Sequence, residues 1–161
     1  MVSREIMKKT TAASPSDLAA HLGYWLRFVS NHVSQAFSAR LAARGVLVAE
    51  WVVLRELFGR ADVAPSDLAT GLGMTRGGVS KLVDRLAERG LVARVAGTAD
   101  RRYQALVLTA AGKALVPRLA ALADQNEVEF FGHLGAAKRA LLGGLLRDLV
   151  THHGLRVVPV A

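Results

Sequence analysis

The stretch from Pro65 to Leu108 constrains the fold more tightly than any other part of this sequence, because start and stop signals for four elements follow one another directly. Pro65-Ser66-Asp67 sets a proline and an early carboxylate at a helix start, and Gly71-Leu72-Gly73 can end that helix. Thr75 then offers a hydroxyl cap to a second helix. In it Val79, Leu82, Val83 and Leu86 form one apolar stripe, while Arg76, Ser80, Lys81, Asp84, Arg85 and Glu88 fall elsewhere. Gly90 closes it. Leu91–Val95 and Tyr103–Leu108 are β-prone runs on either side of Gly97-Thr98-Ala99-Asp100-Arg101-Arg102, the pattern of an antiparallel hairpin with a polar tip.

The flanks read as long helices. Residues 1–13 lack periodicity and are read as a loose basic arm. From Ser14-Pro15-Ser16-Asp17 onward, Leu22, Leu26, Val29, Val33, Phe37 and Leu41 recur at helical spacing as far as Arg44-Gly45, which predicts one long helix over about 14–44. A shorter helix is expected from Glu50 to Phe58, ending at Gly59. Residues 15–23 (PSDLAAHLG) and 65–73 (PSDLATGLG) nearly repeat, but only the second copy is followed by a turn and a new cap. The first is read as running straight on into its helix, so a single helix-turn-helix is expected. Thr109 caps a helix through Phe131 that Pro117 is expected to kink. A last helix over about Ala136–His152 carries Leu141, Leu142, Leu145, Leu146 and Leu149.

A chain of 161 residues suits one domain with a real core, so residues 14–161 are read as a single domain. A formal net charge of +8 points to a polyanionic partner, nucleic acid before an anionic membrane surface. With 52% apolar residues the chain holds more apolar surface than a small domain hides, a hint of a subunit interface. The absence of cysteine excludes disulfides, thiolate metal sites and thiol redox sensing. No apolar run reaches membrane-spanning length without a charge, and the N-terminus lacks a secretory pattern, so a soluble, cytoplasmic protein is expected. No phosphate loop, Ser-His-acid set or Cys nucleophile supports an enzyme.

Helix, glycine-containing turn, helix and two-stranded ribbon is the order of a winged helix-turn-helix. The fold class is therefore mainly α with a small β-hairpin wing, a lobe over about 47–108 lying between long helices at about 14–44 and 109–153. The second helix of the pair is the one that enters a major groove. Thr75, Arg76 and Ser80 stand in its first turns, and Gly77 and Gly78 permit close backbone approach. Arg76 can reach guanine bidentately, Thr75, Ser80 and Lys81 suit phosphate, and Ser66 and Arg85 are further DNA-contact candidates. Two adjacent glycines cost about 1 kcal/mol each in a helix relative to Ala, and close approach to DNA compensates for that cost. An idiosyncratically weak first turn is the other reading.

Residues 65–115, PSDLATGLGMTRGGVSKLVDRLAERGLVARVAGTADRRYQALVLTAAGKAL, resemble the core of the multiple-antibiotic-resistance regulator (MarR) family. The pattern runs in the family's order: a helix-turn-helix, L-V-x-R, Asp100-Arg101-Arg102, then a strand ending Leu108-Thr109 with Gly112 after it. The resemblance implies a homodimer joined by the long first helix and the two C-terminal helices. It further implies a palindromic operator, repression, and release by a small molecule. By the same resemblance Arg101 enters the minor groove from the wing tip, while Asp100 and Arg102 brace the wing. A guanidinium suits a narrow groove of strongly negative potential, and a nearby carboxylate can pre-orient an arginine fork. Without that context the tripeptide is simply a solvated charged turn.

Tyr24, Trp25, Phe28 and His32, with Trp51 and Arg55, are candidate walls for a small aromatic or phenolic ligand, although core packing explains the same residues. His21, His32, His133, His152 and His153 form no i, i+4 pair, so no metal or cofactor is assigned. Two further classes stay open: a ligand-independent architectural DNA-binding protein and a metal-responsive regulator.

Overall fold

The two copies of the near-repeat fold differently, and burial decides between them. In the computed structural model, which describes residues 15–97 and 104–156, the Asp17 carboxylate accepts from Ala19 N at 3.3 Å and closes a short 3₁₀ turn over Leu18–Ala20. His21 is extended (φ −96°, ψ 127°) and Trp25 Nε1 donates to Ala19 O at 2.8 Å, so a side chain takes a carbonyl that a continuing helix would have used. Leu18 and Leu22 stay exposed, so nothing apolar draws this turn into a longer helix. The expectation of one helix over 14–44 is corrected accordingly, because helix α1 spans Leu22–Ala42 and the chain before it turns and breaks. The second copy folds completely as α3, Pro65–Leu72. Pro65 occupies its first turn, and Leu68, Ala69 and Leu72 are buried. Gly73 then takes the left-handed conformation (φ 62°), and Met74 N returns to Ala69 O at 3.0 Å.

The chain falls into two units, one ending at His32 and the other running from Val33. The second unit holds the core. Helix α2 spans Val48–Leu57, two residues earlier than Glu50, because the Glu50 carboxylate reaches back to Leu47 N at 2.9 Å and satisfies the opening turn. Helix α4 spans Arg76–Glu88, strand β1 Val92–Ala96 and strand β2 Gln104–Leu108. The strands pair antiparallel with Val92 opposite Leu108 and Ala96 opposite Gln104, and Val63 adds a bridge through Leu106 N to its carbonyl at 2.8 Å. Leu54, Leu57, Val79, Leu86 and Leu106 are fully buried in one cluster with Leu41, Val116 and Leu119.

Helix α5, Ala110–Phe131, is fastened to the base of the hairpin, and Pro117 lies inside it. Thr109 Oγ1 accepts from Gly112 N at 3.1 Å and donates to Gly90 O at 2.6 Å. A Cβ on Gly112 would lie 2.1 Å from Leu91 O, so only glycine permits this contact between helix and strand base. Within the same unit, Arg40 on the C-terminal part of α1 pairs with Glu129 and donates to Asn126 Oδ1 at 2.6 Å. Asn126, itself buried, donates to Val33 O at 3.1 Å. Helix α6, Gly135–His152, buries no residue, and Leu141 and Leu145 are 64% and 55% exposed. Among the described residues no helix is long and apolar enough to cross a membrane.

Candidate nucleic-acid interface

Helix α4 has two faces of opposite character. Val79, Leu82, Val83 and Leu86 are buried at helical spacing, whereas Arg76, Gly77, Ser80, Lys81, Asp84 and Arg85 are exposed. Thr75 Oγ1 accepts from Gly78 N at 3.1 Å, so the first turn is fixed by its own cap. The two glycines after Arg76 differ in kind. A Cβ on Gly78 would sit 3.1 Å from that cap oxygen, so the cap itself favours glycine there. A Cβ on Gly77 would meet nothing within 4 Å, and no contact inside the protein accounts for it. Ser66 is half-buried in the first turn of α3, with its carbonyl accepting from Thr70 Oγ1 at 3.0 Å.

Ion pairs tie α4 to its neighbours on two sides. Toward the hairpin, Arg94 Nη2 of β1 lies 2.6 Å from Asp84 Oδ1. Toward α2, the buried Glu50 carboxylate meets Arg85 Nη2 at 3.3 Å and Arg89 Nη1 at 3.1 Å while still capping Leu47 N. Arg85 is therefore engaged by a carboxylate, although 54% of its side chain remains exposed. Sequence assigned no site role to Glu50, Asp84, Arg89 or Arg94, although Arg94 closes the L-V-x-R motif and Asp84 was placed off the apolar stripe. The glutamate three positions after Leu47 was the one available signal, since that is where a carboxylate reaches back over a helix start. The ion pairs themselves join residues 10 and 39 positions apart, which no local pattern reveals. Asp100, Arg101 and Arg102 lie outside the described residues.

The six residues expected to wall a ligand site divide between the two units. In the first, Tyr24, Trp25, Phe28 and His32 form a run of exposed aromatic contacts along α1. Tyr24 and Trp25 meet edge to face at 5.1 Å, and Phe28 and His32 lie 4.5 Å apart. His32 Nδ1 shares a 2.7 Å hydrogen bond with Phe28 O. In the second, Trp51 is half-buried against the core, edge to face with Phe37 at 6.2 Å, and Arg55 is exposed. Among the described residues no group of three His, Asp or Glu side chains gathers to hold a metal ion.

A family model described as the MarR family matches residues 44–102, a span that holds α2, α3, α4 and β1 and runs on through Arg102. By this match the chain is MarR-like in its helix-turn-helix lobe. It is a DNA-binding transcriptional regulator of MarR type with the winged-helix fold. This regulator is 28% identical over 130 residues to an HTH-type transcriptional repressor of Mycobacterium tuberculosis, covering 81% of this chain and 94% of that one. It is also similar to solved MarR-type structures. One is BpsR of Bordetella bronchiseptica, whose DNA binding is regulated by 6-hydroxynicotinic acid (TM-score 0.71, 27% identity, covering 84% of this chain and 97% of that one). Another is a mutant of MarR from E. coli complexed with operator DNA (TM-score 0.69, 25% identity, covering 80% and 93%).

Proposed function

We propose that this MarR-like regulator is a homodimeric repressor that reads an inverted-repeat operator with α4 and is released by a small aromatic or phenolic ligand. The observation that carries the DNA reading is the exposed face of α4: Arg76, Ser80 and Lys81 surround a glycine, Gly77, whose missing side chain nothing inside the protein requires. In this reading Arg76 contacts a base edge. Thr75, Ser80, Lys81 and Ser66 contact phosphates, and Gly77 lets the helix backbone come close. Arg85 adds a phosphate contact from the edge of α4. Arg101 enters the minor groove, with Asp100 and Arg102 bracing the wing; the family match extending through Arg102 supports this part.

The dimer reading is supported by unpartnered apolar surface within each unit. Leu22, Leu26 and Val29 are exposed in the first, and Leu141, Leu145 and Leu149 in the second. Each leucine withdrawn from water contributes about 1.5–3 kcal/mol, so stripes of this kind favour a second copy. The ligand reading is supported by the exposed aromatic run Tyr24, Trp25, Phe28 and His32 within the first unit, and by the small aromatic acid that regulates BpsR. The protein acts by binding rather than catalysis, on DNA in the cytoplasm.

Selection of bound genomic fragments followed by footprinting tests the proposal. The expected result is an inverted repeat whose half-sites are centred roughly 34–36 Å apart, one helical turn. A footprint without two-fold symmetry, or a monomer at micromolar concentration in sedimentation, overturns the homodimer. A ligand that stabilises the protein thermally without changing operator affinity overturns the release mechanism, because coupling between the two sites must be reciprocal.

A further inference from the structure

We infer that Glu50, although buried and off the exposed face of α4, is a positioning residue for the DNA interface. It sets the rotation of α4 about its own axis and presents the free edge of the Arg85 guanidinium to an operator phosphate. The inference rests on the proposed role of α4 and adds a residue that this role does not itself require.

Every part of the Glu50 carboxylate is in use. Oε2 accepts from Leu47 N at 2.9 Å and from Arg89 Nη1 at 3.1 Å, and Oε1 faces Arg85 Nη2 at 3.3 Å. Glu50 is 1% exposed and the backbone of α2 fixes it, so the carboxylate is a rigid anchor rather than a mobile surface charge. The two arginines are not equally enclosed. Arg85 keeps 54% of its side chain in solvent and Arg89 38%, and a guanidinium has five N–H donors, so the Glu50 contact leaves donors free on Arg85. One carboxylate against two guanidiniums also leaves the cluster positive overall, which suits a phosphate. Arg85 and Arg89 sit one turn apart at the C-terminal end of α4, on the edge facing α2. Holding both there fixes the direction in which Arg76 and Ser80 point from the other end of the helix.

The Glu50→Gln variant separates positioning from charge. Gln keeps the shape and an acceptor for Leu47 N but removes the negative charge. Counting charges alone, the protein becomes more basic and operator binding should tighten. Positioning requires the opposite: binding weakened roughly tenfold, within the range for coupled contacts, and a salt slope lowered by about one for each Arg85 that leaves its phosphate. The experiment is a fluorescence-anisotropy titration of labelled operator at several salt concentrations with wild type, E50Q, Arg85→Ala and the double variant, each checked by thermal melting. Arg85→Ala should cost clearly less in the E50Q background than in wild type. Operator affinity equal to or above wild type in E50Q, or an Arg85→Ala cost identical in both backgrounds, overturns the inference. Should E50Q not fold, Arg85→Lys decides: it keeps the charge but loses the fork that serves carboxylate and phosphate together, so weaker binding is expected and wild-type affinity overturns the inference. Failure of the wild-type protein to select any operator would overturn the reading of α4 and this inference with it. Wild-type affinity in the variants overturns this inference alone.

Discussion

Arg94 Nη2 lies 2.6 Å from Asp84 Oδ1, so the exposed face of α4 and the first strand of the hairpin share one ion pair. The carboxylate sits among the residues proposed to face a polyanion, where an unpaired negative charge would be repelled. The arginine is therefore expected to matter more for DNA binding than for folding. As a partly exposed pair it contributes less than about 1 kcal/mol to stability. Arg94→Ala is accordingly expected to melt close to wild type yet bind operator on the order of tenfold more weakly, because like charges then face each other across the interface. Adding Asp84→Asn should recover most of that loss. If the double variant binds no better than Arg94→Ala, Asp84 is not the source of the repulsion.

Gly112, in the first turn of α5, is expected to resist replacement. A Cβ there would lie 2.1 Å from Leu91 O and 3.2 Å from Leu108 Cδ2, and the first of these is backbone that cannot rotate away. Gly112→Ala should destabilise by about 1–3 kcal/mol or more, the cost of forcing atoms into a packed site. Denaturant melting measures it. A change below about 0.5 kcal/mol, the range of inert surface substitutions, would mean that the junction of α5 with the hairpin relaxes freely.

Arg76 and Lys81 share the exposed face of α4 but are expected to fail differently when removed. Arg76→Ala should lose roughly 1–3 kcal/mol and relax preference at one operator position in each half-site, as for a bidentate guanine contact. Lys81→Ala should weaken all sequences alike and lower the salt slope by about one per lost phosphate contact. Titrations against a panel of single-base operator variants separate the two. Uniform weakening by Arg76→Ala would assign Arg76 to the phosphates instead.

What could be read in advance was whatever a few adjacent residues decide. The proline at the start of α3, the left-handed Gly73 and the Thr75 cap each act within one turn, and each stands where the sequence indicated. The same grammar misled at Pro15-Ser16-Asp17, because a start signal needs apolar burial behind it. Leu68 and Leu72 of α3 are buried, whereas their counterparts Leu18 and Leu22 are 70% and 81% exposed. The Glu50 cluster was illegible for a different reason: Glu50 and Arg89 are 39 residues apart, and only the packing of α2 against α4 brings them together. Arg85 looked like a free basic residue for the same reason, since its carboxylate partner lies on another helix.

Gly77→Ala offers the sharpest separation of stability from function. A Cβ at Gly77 meets nothing within 4 Å, and its φ is not in the left-handed region, so the protein itself accepts alanine without strain. Alanine favours a helix over glycine by up to about 1 kcal/mol, which in a chain of this size raises the melting temperature by roughly 2–4 °C. A glycine kept for fold reasons would give a variant that is more stable and equally active. A glycine kept so that the backbone can approach DNA gives a variant that is more stable and binds operator more weakly, because the new methyl occupies the space into which the DNA must come. Neither the charge nor the phosphate-contacting side chains change, so the salt slope should stay at its wild-type value while affinity falls at every salt concentration. Thermal melting and anisotropy titration of the same preparation read both quantities, and a Gly77→Ala protein that melts higher and binds operator with unchanged affinity would remove the first turn of α4 from the interface.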